Sequence, residues 1–176
     1  MTSARRHARP MNPEPTAPTR ELDVELQRHT ALLGKARALL HASRIAPLQQ
    51  ILRGNKLALL CIDSQSKEAR LFEKAATQLG AHVACVRVSL SDASSDAIVG
   101  ETASLLSRLY DAVECLDMTP ALTDRLRRAA SIPVLVGATA GPQDVPLLTS
   151  MLMADGCTAS DAQRLGLQAR LAIALA

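Results

Sequence analysis

Four short apolar runs, Leu57 to Ile62, Val83 to Val88, Ala112 to Leu116 and Ile132 to Val136, are separated by stretches of helical period. Each run is nearly continuous in apolar residues, which is what a strand covered on both faces requires. Strand and helix in regular alternation imply right-handed crossovers and a parallel sheet. The helices between the runs are expected to turn Phe72, Ala75, Ala76 and Leu79 inward, then Ile98, Thr102, Leu105 and Leu109, then Leu122, Leu126 and Ala129. The expectation is an α/β fold of three layers, α/β/α, around a four-stranded parallel sheet.

Boundary signals agree with this. Gly80 ends one helix, Thr119 followed by Pro120 caps and starts another, and Gly137 closes the last strand. The stretch Ser89 to Asp96, rich in Ser and Asp, reads as a loop. Ahead of the alternation, Leu22, Leu26, Leu33, Ala36 and Leu40 recur at helical spacing with His29 on the same stripe, predicting an amphipathic helix from near Glu21 that ends before Pro47. Pro10, Pro13, Pro15 and Pro18 forbid a helix in residues 1–19 and suit an extended, mobile segment. Two further helices are expected after the last run, roughly Val145 to Ala154 and Ser160 to Leu175, the second opened by Ser160 with Gln163 at capping-box spacing. No internal repeat is present.

With 176 residues, 48% of them hydrophobic, the chain is large enough for one core and too short for two domains of ordinary size. Phe72 and Tyr110 are the only aromatics beyond four histidines, so the core must be built from Leu, Ala, Val and Ile. The formal charge of +3 comes from the first twenty residues, where Arg5, Arg6, Arg9 and Arg20 outweigh Glu14, and the remainder is neutral. A basic tail, with no basic face or stacking platform in the body, gives no ground for expecting a nucleic-acid partner. Cys61, Cys85, Cys115 and Cys157 show no CxxC or Cys/His ligand spacing, and three of them fall inside apolar runs. They read as reduced core residues of a cytoplasmic protein. No apolar stretch approaches the length needed to span a bilayer, and the Pro- and Arg-rich N-terminal segment has no apolar h-region, so neither a membrane span nor a secretory signal is expected. Met1 and Met11 are both candidate starts.

GxGxxG, P-loop, HExxH and GxSxG patterns are absent, and His7, His29, His41 and His82 are scattered, so no metal and no cofactor is expected. The informative segment is Lys56 to Val86, KLALLCIDSQSKEARLFEKAATQLGAHVACV, which resembles the first strand-helix-strand unit of the ornithine and aspartate carbamoyltransferases. Further along, ETASLLSRLYDAVECLD resembles the ornithine-type pattern DTARVLxRMYDxIxxRG, and SIPVLVGAT resembles the strand written VPVxNGLT. GAHV at Gly80 to Val83 and LLGKARALL near the start add to the likeness, which covers about residues 21 to 154 and is nearly gapless through three strands. The chain is similar to the N-terminal, carbamoyl-phosphate-binding domain of that family, closer to the ornithine branch, in truncated and degenerate form.

The resemblance implies a site at the carboxyl ends of the strands, with a phosphate at the N-terminus of the helix after the first strand. Free N–H groups and the helix dipole attract an anion there, and arginines add bidentate bonds. Where the family carries S-T-R-T-R, this chain reads Gln65, Ser66, Lys67, Glu68, Ala69. Ser66 can cap the helix and Lys67 can offer a charge, which makes these two the residual phosphate-binding candidates. Glu68 suits the first turn of a helix but repels a phosphate. The family's arginine in YDxIxxRG matches Leu116, with Asp117 in place of glycine, and its H-P-x-Q matches Gln143, Asp144, Val145 and Pro146. Tyr110 and Asp111 match the family's Tyr-Asp, where packing and positioning are the implied role. Without these groups, neither the phosphate charge nor the developing oxyanion is served, and no catalytic residue is expected.

The domain reading is a disordered basic, Pro-rich tail over 1–20, a carbamoyl-phosphate-binding-like domain over 21–154, and over 155–176 a C-terminal helix, with Ala162, Leu165, Ala169 and Ala172 on one face, in place of an amino-acid-binding domain. The expected function is that of an isolated carbamoyl-phosphate-binding domain that is catalytically inactive alone. The alternatives are a residual anion-binding half of a split carbamoyltransferase and a non-catalytic assembly partner of an intact paralogue. The implied partners are carbamoyl phosphate or another anion, and other copies of the chain in a trimer or a paralogue subunit.

Overall fold

The computed structural model describes residues 17–43, 48, 51–136 and 144–175. In chain order the elements are α1 Ala17–Ser43, β1 Lys56–Leu60, α2 Lys67–Gln78, β2 His82–Val86, α3 Asp96–Leu109, β3 Ala112–Cys115, α4 Pro120–Ala129, β4 Val134–Val136, α5 Asp144–Ala154 and α6 Ala159–Ala174. The expectations for residues 1–16, Pro47, Gly137 and Gln143 lie outside the described residues.

The strands form one parallel sheet in the order β2-β1-β3-β4. Leu57 pairs with Val83 on one side and Ala112 on the other, and Val113 pairs with Val134. Alternate residues of each strand enter different layers. Leu57, Leu59 and Cys61 join Ala112 and Leu116 in a core with α1, α2, α5 and α6, whereas Ala58, Leu60, Val113, Cys115 and Val134 join α3 and α4. The path from β1 through α2 to β2 runs one way along the sheet and the path from β2 through α3 to β3 runs the other. Right-handed crossovers therefore place α2 and α3 on opposite faces. The three-layer α/β/α architecture with four parallel strands is the one the apolar runs imply.

The inward face of α2 is as expected, with Phe72, Ala75, Ala76 and Leu79 buried. Burying a side chain of the size of Phe72 contributes about 2–3 kcal/mol. In α3 the expected face is off by one residue: Val99, Ala103 and Leu106 are buried, while Ile98, Leu105 and Leu109 are exposed. In α1 the correction has the opposite sense, with Leu32, Ala36 and Leu39 buried and Leu26 exposed. Both helices carry adjacent apolar pairs, Ile98–Val99 and Leu105–Leu106 in one and Leu32–Leu33 and Leu39–Leu40 in the other, so two parallel stripes compete for the core. In α4, Leu122, Thr123 and Leu126 are buried and Ala129 is exposed.

Three boundaries follow the expected chemistry. Gly80 adopts a positive φ of 94° just after α2, Thr119 accepts a bond from Leu122 N with Pro120 in the first turn of α4, and Ser66 caps α2. Two do not. Helix α1 starts at Ala17 and so contains Pro18, because a proline in the first turn removes an N–H that has no helical partner. Helix α6 is capped by Thr158 rather than Ser160: its hydroxyl accepts from Asp161 N at 3.1 Å and donates to the Asp161 carboxylate at 2.8 Å. That bond, with Arg164 alongside, holds the Asp161 carboxyl below its ordinary range.

Candidate functional site

The reversal of winding direction falls between β1 and β3, and in open parallel sheets the crevice outside the carboxyl ends of such strands is where ligands bind. Here the crevice is rimmed by residues 61–66 after β1 and 116–119 after β3. Asp63 organises the first segment. Its carboxylate accepts from Gln65 N at 2.8 Å, and its carbonyl accepts from Ser66 N at 3.3 Å. Ser66 Oγ accepts from Ala69 N at 3.1 Å, which satisfies one free donor of the first turn of α2. Gln65 Oε1 accepts from Arg70 at 2.5 Å, so that guanidinium folds back along its own helix. Lys67 and Glu68 are exposed in the first turn.

Asp117 ties the two segments together. Its carboxylate accepts from Ile62 N at 3.2 Å, directly after Leu116 N has extended the ladder to Leu60 O at 2.9 Å. Its φ is +57°, the only positive value at a described non-glycine residue. Aspartate is among the few residues that tolerate this left-handed conformation. The glycine implied at this position by the resemblance is thereby explained, since the backbone turn is kept while the residue has changed.

Of the three positions matched to arginine, Lys67 is exposed and charged, but the other two offer no charge. Ala69 is 1% exposed and Leu116 7%, and both lie in the core on the α2 side of the sheet. Burial raises the Cys61 thiol to about 11, helped by a hydrogen bond and charge interaction with Cys85 and by the carboxylates of Asp117 and Asp63. The mouth of the crevice thus gathers Asp63, Glu68 and Asp117 against the exposed Lys67 and the Gln65-bound Arg70.

The segment between β2 and α3 is held beside this mouth by α4. Arg125 donates to Ser94 O at 2.5 Å and to Asp96 Oδ1 at 2.9 Å, and Thr119 Oγ1 donates to Asp92 Oδ1 at 2.5 Å. Tyr110 and Asp111 sit at the opposite end of the sheet, where the Asp111 carboxylate accepts from Lys56 N at 2.7 Å. They position strand starts and are remote from the crevice. Asp144 to Pro146 open α5, while Gln143 is outside the described residues. Among the described residues, no group of three or more His, Cys, Asp or Glu side chains is placed to hold a metal. No described helix is long and apolar enough to cross a membrane.

Sequence reasoning passed over Glu114, which is fully buried in the middle of β3. Its parity with Ala112 and Leu116 places it on the α2 side. A lone carboxylate inside the run AVECL was the available signal. Burial first, and then the Glu114 charge, push the neighbouring Cys115 thiol up to about 12.

Parallel strands in this order, with helices on both faces and a reversal between β1 and β3, define an open α/β domain. Comparison with known proteins narrows the class. The catabolic ornithine carbamoyltransferase of Pseudomonas putida is 31% identical over 121 residues, covering 66% of this chain and 36% of that protein. The ornithine carbamoyltransferase of Actinobacillus pleuropneumoniae is 30% identical over 127 residues, covering 72% and 38%. This chain therefore spans well under half the length of these curated relatives. Among solved structures, ornithine carbamoyltransferase from Pyrococcus furiosus matches with a TM-score of 0.61 at 20% identity, over 73% of this chain and 42% of that one. The catalytic subunit of M. jannaschii aspartate transcarbamoylase matches at 0.58 and 18%, over 74% and 44%. No family model matches the chain. Sequence and structure neighbours agree that, over about 70% of its length, this is a partial carbamoyltransferase-like domain.

Proposed function

We propose that this chain is a carbamoyl-phosphate-binding-type domain that does not carry out carbamoyl transfer, and that it acts as a non-catalytic, cytoplasmic assembly unit with copies of itself or with an intact paralogue. One observation carries the reading. Of the three positions matched to arginines, Ala69 and Leu116 are packed into the apolar core and only Lys67 keeps a charge, while Asp63, Glu68 and Asp117 are exposed on the segments that rim the crevice and in the first turn of α2. A dianion entering there meets like charges. Of the donors that would neutralise phosphate and polarise a carbamoyl group, only the single charge of Lys67 has a counterpart here.

A ligand that binds only the folded state must raise its stability by mass action. The expected result is an unchanged melting temperature in excess carbamoyl phosphate, and no carbamoylation of ornithine or aspartate above buffer. The second reading, a residual anion site, draws on Ser66 capping α2 beside the exposed Lys67. A clear rise in melting temperature, abolished by Lys67→Ala, would replace the first reading with that one.

A further inference from the structure

The register of β1 and β2 brings two cysteines to one face of the sheet. Leu57 lies opposite Val83 and Leu59 opposite Cys85, so Cys61, two residues beyond Leu59, is the diagonal neighbour of Cys85. Parity puts both on the α2 side, with Leu57, Leu59 and Val83. Their surroundings differ. Cys61 is 8% exposed and belongs to the apolar layer, whereas Cys85, expected as a core residue, is exposed on the edge strand β2. The two thiols meet at that boundary and share a hydrogen bond. Burial and the Cys85 contact raise the Cys61 thiol to about 11, so at neutral pH Cys61 holds its proton and donates to the Cys85 sulfur. Diagonal neighbours on adjacent strands lie about 7–8 Å apart between Cα atoms, and a disulfide spans about 4.4–6.8 Å. A bridge therefore needs a shift of about 1 Å. Cys61 lies where such a shift is least opposed, one residue past the last β1–β2 pair, Leu60 with Val86.

We propose that Cys61 and Cys85 form a reversible intramolecular disulfide in response to hydroperoxides, with Cys85 reacting first and Cys61 resolving. With hydrogen peroxide, the Cys85 thiolate attacks one peroxide oxygen and the O–O bond breaks. Cys85 becomes a sulfenic acid, and the departing oxygen takes a proton and leaves as water. Cys61 sulfur then attacks the Cys85 sulfur: the S–S bond forms, the S–O bond breaks, and the Cys61 proton leaves with the hydroxyl group as a second water. In sum, two thiols are oxidised by two electrons and one peroxide is reduced to two waters. A partner already in contact intercepts the sulfenic acid before a second peroxide carries it to the sulfinic acid, from which a thiol does not restore it. Cys115 cannot take the part of Cys61, because it is buried in the layer on the other face. The inference is independent of whether the crevice binds an anion.

Peroxide treatment of the reduced, folded full chain, followed by thiol counting and peptide mass mapping, tests it. Free thiols should fall from four to two. The tryptic peptides 57–67 and 75–87 should appear joined, with the loss of two hydrogens, and dithiothreitol should separate them. Cys85→Ser should abolish the link and leave Cys61 unmodified. Cys61→Ser should stop Cys85 at the sulfenic acid, trapped as its dimedone adduct. Far-UV circular dichroism before treatment shows that each chain is folded, and the exposed Cys85 is the substitution least able to disturb the core. Four thiols remaining, a link that forms only in denaturant, a bond from Cys85 to Cys115, to Cys157 or to a second copy, or Cys85 running to the sulfinic acid in the unsubstituted chain would each overturn the inference.

Discussion

At Asp117 the backbone holds a left-handed turn with φ +57°, and its carboxylate anchors Ile62 N. Asp117→Ala loses the bond and keeps the strained conformation, at a cost of about 1–2 kcal/mol. Asp117→Gly loses the bond but suits the turn, so it should melt above the alanine variant; the reverse order would show that the bond matters more than the backbone. Cys115 offers a second test at this scale. Its thiol rises from an ordinary 9.0 to about 12 in the fold, chiefly through burial. Below pH 9 the thiol is protonated both folded and unfolded, and its contribution is fully present. Above pH 9 the unfolded chain releases the proton first, so stability falls as pH climbs toward 12. Cys115→Ala should flatten the alkaline limb of a stability-versus-pH curve measured by denaturant titration, and an unchanged slope would assign that limb to other groups.

Among the elements, α6 shows how closely the helices of the α2 side approach. A Cβ added at Gly166 would lie 2.9 Å from Leu148 Cδ2 of α5. Gly166→Leu should therefore overpack the contact and destabilise by about 1–3 kcal/mol, read as a lower denaturation midpoint. The same helix sends Gln168 to Ala75 O at 3.2 Å and to Gln78 at 3.1 Å, so it is bolted to α2 by polar as well as apolar contacts. Element identity was legible in the sequence because strand runs and helical periods differ in kind. The facing of α1 and α3 was not, because doubled apolar residues satisfy the helical period at either of two adjacent positions. The cap at Thr158 was missed for a related reason: two hydroxyl residues with an acceptor or amide three positions on stand two apart, at Thr158 and Ser160.

For the molecule as a whole, the place of the two candidate residues in the fold was legible in outline. Ser66 and Lys67 stand at the N-terminus of α2, as the pattern of the first strand-helix-strand unit implied. What no linear pattern conveys is that Asp117 reaches across to Ile62, or that Leu116 turns away into the core, because both depend on how β3 lies beside β1. Ion pairs such as Arg37 to Asp155 at 2.7 Å are half exposed and contribute little, so stability rests on the two apolar layers. The layer on the α2 side is built from both extremes of the described chain, since α1 and α6 lie against one another in it. During synthesis, all four strands leave the ribosome before residues 159–174 do. Until they do, Leu57, Leu59 and Ala112 face an unfinished layer, and a nascent chain stalled at that stage displays the sticky side of a nearly complete sheet to whatever chaperone or neighbour is at hand.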